Sequence, residues 1–222
     1  MIINKDRIKY YRLHSGDIFA VKGSGPAAWA CRNLIEPGTD RFHFGLIWMP
    51  TEDGDRVILE SQGEGTMLET VADIIIHIIT RKGAVGQAVA IGSLSLYHGM
   101  DVRFFRPVYV SADKRKHAPA ALACYGRNSY GYSYITKMIL SALSKWISIL
   151  WREKRFRRLY VFEVPYTMGE KALICTVAPN VGYLLIGEVL LPVGVEATPN
   201  AYEQAVNDGV LKELDFEIDK ED

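Results

Sequence analysis

The 222-residue chain lacks a charge bias: 26 basic residues are matched by 26 acidic ones. A nucleic-acid partner, which would be signalled by a basic excess, therefore gains no support. Cysteine is scarce and odd in number, at Cys31, Cys124 and Cys175. No CxxC or mixed Cys/His spacing joins them, which argues against a zinc site and against a disulfide framework. No run approaches the 18 or so apolar residues of a membrane span. The opening MIINKDRIKYYRLHSGD has no apolar core of a secretory signal. Glycines gather at Gly23-Ser24-Gly25-Pro26, but neither GK[ST] nor GxGxxG follows, so no phosphate-binding loop is implied. No metal and no cofactor are expected. The expectation is a soluble, cytoplasmic protein.

What remains is a chain that is 49% hydrophobic, enough for a real core and too much for disorder. A single domain over 1–222 fits that length. It would carry an N-terminal arm at 1–13, an insertion around 145–170 and an acidic tail at 211–222. The most informative stretch is Arg41 to Gln62. Phe42 to Trp48 and Arg56 to Glu60 read as strands, and the Asp53-Gly54 step between them favours a hairpin. One polar residue stands in each: His43 early in the first, Glu60 late in the second. An antiparallel pairing brings those positions to the same end, within reach of one another. A histidine oriented by a carboxylate is two thirds of a nucleophilic site. An isolated strand histidine also serves as an ordinary structural residue, so a nucleophile is needed to complete the case.

Cys175 supplies a candidate. It opens an apolar helical segment, KALICTVAPNVGYLLIGEVLL, where Pro179 would fall at about the fourth helical position. A thiol at a helix start meets unpaired N–H groups and the positive end of the dipole, both of which favour the thiolate. Cys31 and Cys124 lie among alanines in expected helices and read as small core residues.

Other elements follow from pattern. Gly16 to Lys22 reads as a strand entered through a turn, with Asp17 as a turn residue. Ala27 to Ile35 reads as a short helix. Strands are expected at Thr66 to Thr70, Ile74 to Thr80, Asp101 to Val110 and Tyr160 to Pro165, while Gly83 to Gly92 is ambiguous. Ser111 can cap a helix to Tyr125, kinked or restarted at Pro119. Ile135 to Leu150 has an apolar stripe at three- and four-residue spacing. The basic, aromatic run 151–158 follows it, which suits a peripheral membrane contact through 135–158 or a solvated helix end. Thr198 and Pro199 begin a last helix, stopped by Asp208-Gly209.

Taken in order, Gly16-Asp17, Phe42-His43-Phe44-Gly45-Leu46, Glu60-Ser61, Tyr130-Gly131-Tyr132 and Cys175-Thr176 resemble the circularly permuted branch of the NlpC-type papain-like cysteine hydrolases. This is the YiiX-like group, related in layout to the lecithin:retinol acyltransferase-like proteins. The resemblance spans about residues 14 to 210. It departs from the family pattern at Phe42, where Ser is usual, at Thr176-Val177, where Ser-Glu is usual, and at Pro179. The fold it implies is α+β, papain-like and permuted, with a central antiparallel sheet packed by helices. The activity it implies is hydrolysis or acyl transfer at an amide or ester bond, on a peptide or γ-glutamyl amide or a lipid acyl substrate. Cys175 would be the nucleophile, His43 the base and Glu60 its orienter, with Tyr132 and Tyr130 beside the oxyanion. The alternative is a non-catalytic papain-like binding domain in which Cys175 is structural.

Overall fold

The computed structural model describes residues 13–23, 39–50, 56–63, 86–97, 99–124, 175–192, 195 and 197–214. Among the described residues six strands form one antiparallel sheet: β1 (Ile18–Lys22), β2 (Arg41–Pro50), β3 (Arg56–Gly63), β4 (Gly86–Ser93), β5 (Val102–Pro107) and β6 (Leu211–Glu213). Their order across the sheet is β4-β3-β2-β1-β5-β6. The described helices are α1 (Ala112–Arg115), α2 (His117–Cys124), α3 (Val177–Leu185) and α4 (Pro199–Asn207). The architecture is thus α+β with an antiparallel sheet, the coarse expectation drawn from the chain.

Alternation along the strands builds two cores on opposite faces of the sheet. On one face Ile18, Ala20, Phe44, Leu46, Leu59 and Phe105 pack under the helices, against Leu122, Val181 and Tyr202 among others. On the other, Phe19, Val21, Ile47, Ile58, Val102 and Phe104 form a smaller cluster with Leu13 and Leu94. Leu13, at the end of the expected arm, is therefore core.

Local chemistry explains the element ends. Ser111 caps α1 by accepting from the Lys114 N–H at 3.4 Å. The chain then restarts as α2, with Pro119 at its third position, where the missing N–H costs nothing. Thr198 caps α4 by accepting from the Ala201 N–H. The helix ends at Asp208, and Gly209 takes φ +73 beyond it, a left-handed conformation that glycine adopts without strain. Strand β5 stops at Pro107, which has no N–H to donate. The ambiguous 83–92 stretch contributes β4. Leu211–Glu213, assigned to an acidic tail by composition, instead pairs with β5. The paired residues are apolar Leu211 and two charged residues on an edge, so composition hides the strand.

Two sequence readings are corrected by burial. Asp17 is more than a turn residue. Its carboxylate is fully buried and accepts from the His14 N–H (2.8 Å), from Arg106 Nε (2.8 Å) and from Arg106 Nη2 (2.6 Å). Arg115 Nε stands 3.7 Å away. Cys124 is exposed, not core, because it is the last residue of α2. The expected helix at 27–35, the strands at 66–70, 74–80 and 160–165, the helix at 135–150 with the run 151–158, and Cys31 lie outside the described residues.

Gly45 is a position where only glycine fits. A Cβ there would stand 2.5 Å from the Phe19 ring and 2.6 Å from the Leu59 carbonyl oxygen. Gly45→Ala gains some strand propensity but must push aside backbone. A net loss of about 1–3 kcal/mol is expected, read as a lower urea midpoint. A variant as stable as the parent would show that the strands can part at no cost.

Candidate active site

The β2–β3 pairing sets up the site. Gly45 stands opposite Glu60, and Leu46 opposite Leu59. His43, two residues before Gly45, is therefore the diagonal neighbour of Glu60 on the same face of the sheet. The two side chains meet: His43 Nε2 and Glu60 Oε2 are 2.7 Å apart. Gly45 has no side chain to stand between them. On its other flank His43 pairs with Val21, beside a register shift between Val21 and Lys22.

Exposure divides the labour. The Glu60 side chain is 1% exposed, whereas His43 keeps 25% of its surface open. Solvent reaches part of the His43 side chain but not the carboxylate. Phe19 and Tyr97 wall the ring, with centroids 6.2 and 5.7 Å from that of His43.

Cys175 arrives from the opposite face. Helix α3 packs in the helical core through Val177, Ala178 and Val181, and Cys175 stands just before its N-terminus, partly exposed. The helix begins slightly later than the sequence suggests. Thr176 is its N-cap, and its side chain makes no capping bond. Pro179 is thus the third helical residue rather than the fourth. All the same, the thiol reaches a hydrogen bond with His43. Burial works against a charge on the imidazole, but the hydrogen bonds to Cys175 and Glu60, and the negative charge those groups can carry, take its pKa up to about 10.

Tyr202 holds the two halves of the site together. Its ring stacks on Phe44, next to His43, with centroids 4.7 Å apart. Its hydroxyl donates to the Thr176 carbonyl at 2.8 Å, next to Cys175. Burial pushes this phenol's pKa up, so it remains a donor. A second buried phenol, Tyr183, donates to the Gly16 carbonyl at 2.6 Å and ties α3 to the turn before β1.

Cys175, His43 and Glu60 thus come together. Tyr130 and Tyr132 lie outside the described residues. Tyr97, which no sequence motif marked, donates from its hydroxyl to Glu60 Oε2 at 2.5 Å. Its one sequence-level signal is a tyrosine close after a strand that can pair with β3. Among the described residues no group of three His, Cys, Asp or Glu side chains could hold a metal ion. No described helix is long and apolar enough to cross a membrane. No protein-family model, curated protein or solved structure matches the chain.

Proposed function

We propose that this chain is a cysteine hydrolase or acyltransferase of permuted papain-like architecture, acting on an amide or ester bond through Cys175, His43 and Glu60. The observation that carries this reading is a single imidazole hydrogen-bonded both to a buried carboxylate and to a partly exposed thiol at a helix start.

The chemistry follows from the groups. With its pKa at about 10, His43 carries its proton at neutral pH, and beside that charge Cys175 would rest as the thiolate. With Nε2 engaged by Glu60, Nδ1 is the nitrogen left to face sulfur. The thiolate adds to the acyl carbon and forms an S–C bond. Oxygen gains charge and meets N–H groups of the helix N-terminal turn, which have no partners within the helix. The C–N or C–O bond to the leaving group then breaks, and the His43 proton passes to the leaving amine or alcohol. Water, or another nucleophile, gives a proton to His43 and attacks the thioester. Product leaves and the ion pair returns. Glu60 keeps the ring oriented and favours its charged form throughout. The substrate class is a peptide or γ-glutamyl amide or a lipid acyl group. A peripheral membrane contact through 135–158 would favour the second.

The test uses p-nitrophenyl esters of increasing acyl length and γ-glutamyl p-nitroanilide, with intact-mass analysis of the protein. A burst of p-nitrophenol or p-nitroaniline equal to the enzyme is expected, with one acyl group added at Cys175. Cys175→Ala should lose both. Turnover that survives Cys175→Ala, or an adduct elsewhere, would sink the reading, and no turnover with no adduct in the wild type would leave a papain-like binding domain as its replacement.

A further inference from the structure

The Glu60 carboxylate has two donors on the same oxygen. His43 Nε2 lies 2.7 Å from Oε2, and the Tyr97 hydroxyl lies 2.5 Å from that same atom. Tyr97 ends a single 3-10 turn, Leu94–Tyr97, that follows β4 directly. Its ring also touches the imidazole (5.7 Å) and Phe19 (5.6 Å). One half-buried side chain therefore contacts both the orienting carboxylate and the base.

We propose that Tyr97 is the positioning residue for the Glu60–His43 pair: its hydroxyl fixes the carboxylate, and its ring limits rotation of the imidazole. This rests on the Cys175–His43 reading above and extends it to a fourth residue. A carboxylate that loses this donor turns more freely about its last bond, and in most orientations neither oxygen is aimed at His43 Nε2. Buried hydrogen-bond chains of this kind stiffen one another. Among the described residues, the titratable groups facing the imidazole are Cys175 before α3, Glu60 on β3 and Tyr97 after β4. Loosening Glu60 weakens support for the imidazolium, and the thiolate then loses its counter-charge.

The experiment is the pH profile of Cys175 alkylation by iodoacetamide, followed by peptide mass mapping to separate Cys175 from Cys124 and Cys31. Tyr97→Phe removes the hydroxyl and keeps the ring. Its thiolate midpoint should move up toward that of a free thiol, with the rate at pH 6 falling about tenfold, the scale of one hydrogen bond to a charged group. The melting temperature should change little. In a Glu60→Gln background the same substitution should add nothing to the midpoint shift, because Tyr97 acts through that carboxylate. That cycle also serves if Tyr97→Phe is less stable, since both arms then carry the same loss of stability. A midpoint unchanged in Tyr97→Phe, or lowered, would overturn the proposal, as would a full extra shift in Glu60→Gln. These outcomes leave the Cys–His reading intact. A wild-type midpoint already near the ordinary thiol value would instead overturn both.

Discussion

His43→Ala is expected to return Cys175 to the behaviour of an ordinary thiol. A free cysteine titrates near 8.5, so at pH 6.5 only about 1% of it is thiolate. In the wild type the proposed ion pair with the His43 imidazolium should hold the thiolate form well below that point. The thiolate fraction then differs by up to about a hundredfold. A thiolate of low pKa is also intrinsically less nucleophilic, which offsets part of this. The alkylation rate at pH 6.5 should therefore fall by about ten- to a hundredfold, with the midpoint moving to about 8.5. The upper boundary is set by the base. Its pKa of about 10 lies above the ordinary 6.5, so the ring keeps its proton up to that region and loses it above. Amide cleavage, which needs that proton for the leaving group, should decline as pH rises through about 10. The linked stability has the same sign. A raised folded pKa favours the folded state fully below about 6.5, and that contribution is lost as pH rises through about 10. Identical profiles for wild type and His43→Ala, both centred near 8.5, would remove the ion pair and the proposed activity with it.

Asp17→Asn is expected to be the most damaging conservative change to stability. The carboxylate is fully buried and is held in two bonds by Arg106, with Arg115 close by. Replacing it with an amide leaves Arg115, whose side chain is 7% exposed, close to a buried site with no counter-charge. Arg106 keeps 24% of its surface in solvent, so its share of the loss is smaller. Removing one partner of a buried pair typically costs about 3–5 kcal/mol, and the Arg106 exposure argues for the lower end of that range. Asp17 also anchors the register. The Ile47 N–H donates to the Asp17 carbonyl at 2.8 Å, as does the Gly16 N–H to the Ile47 carbonyl. Urea unfolding at neutral pH is the measurement. A loss below about 1 kcal/mol would place this cluster with ordinary surface pairs. Asp17→Asn should leave the alkylation midpoint of Cys175 near that of the wild type while the fold holds. The two substitutions thus separate stability from reactivity.

The residues differ in how far pattern alone revealed them. His43 and Glu60 were legible because a hairpin leaves a strong trace: apolar strands, an Asp-Gly step and one polar residue in each. The pattern did not supply the register, which makes the pair diagonal, with Gly45 opposite Glu60. Cys175 was legible through its position before an apolar helix. The start was misplaced because Thr176 makes no side-chain cap. Capping chemistry is the usual marker of a boundary, and here it is silent. Tyr97 was illegible because a four-residue 3-10 turn has no periodicity and its partner lies 37 positions back in the chain. Asp17 was read as a turn residue because burial comes from β5 and α1, which the local sequence cannot see. Cys124 looked like core by composition, and only its place at the end of α2 exposes it.

The two faces of the sheet have a further consequence for how the protein matures. The base and its carboxylate sit on neighbouring strands 17 positions apart, a short loop to close. Cys175 joins them only when α3 docks on the opposite face, through contacts that span more than a hundred positions. Loop-closure entropy therefore favours pairing the His43 and Glu60 strands before the Cys175 helix docks, an order that Cys175 alkylation during refolding would test. Under the proposed function, a partly folded chain would carry an ordinary thiol. If the ion pair forms, the fraction of chains with a fast-alkylating Cys175 should count those in which α3 has reached its seat.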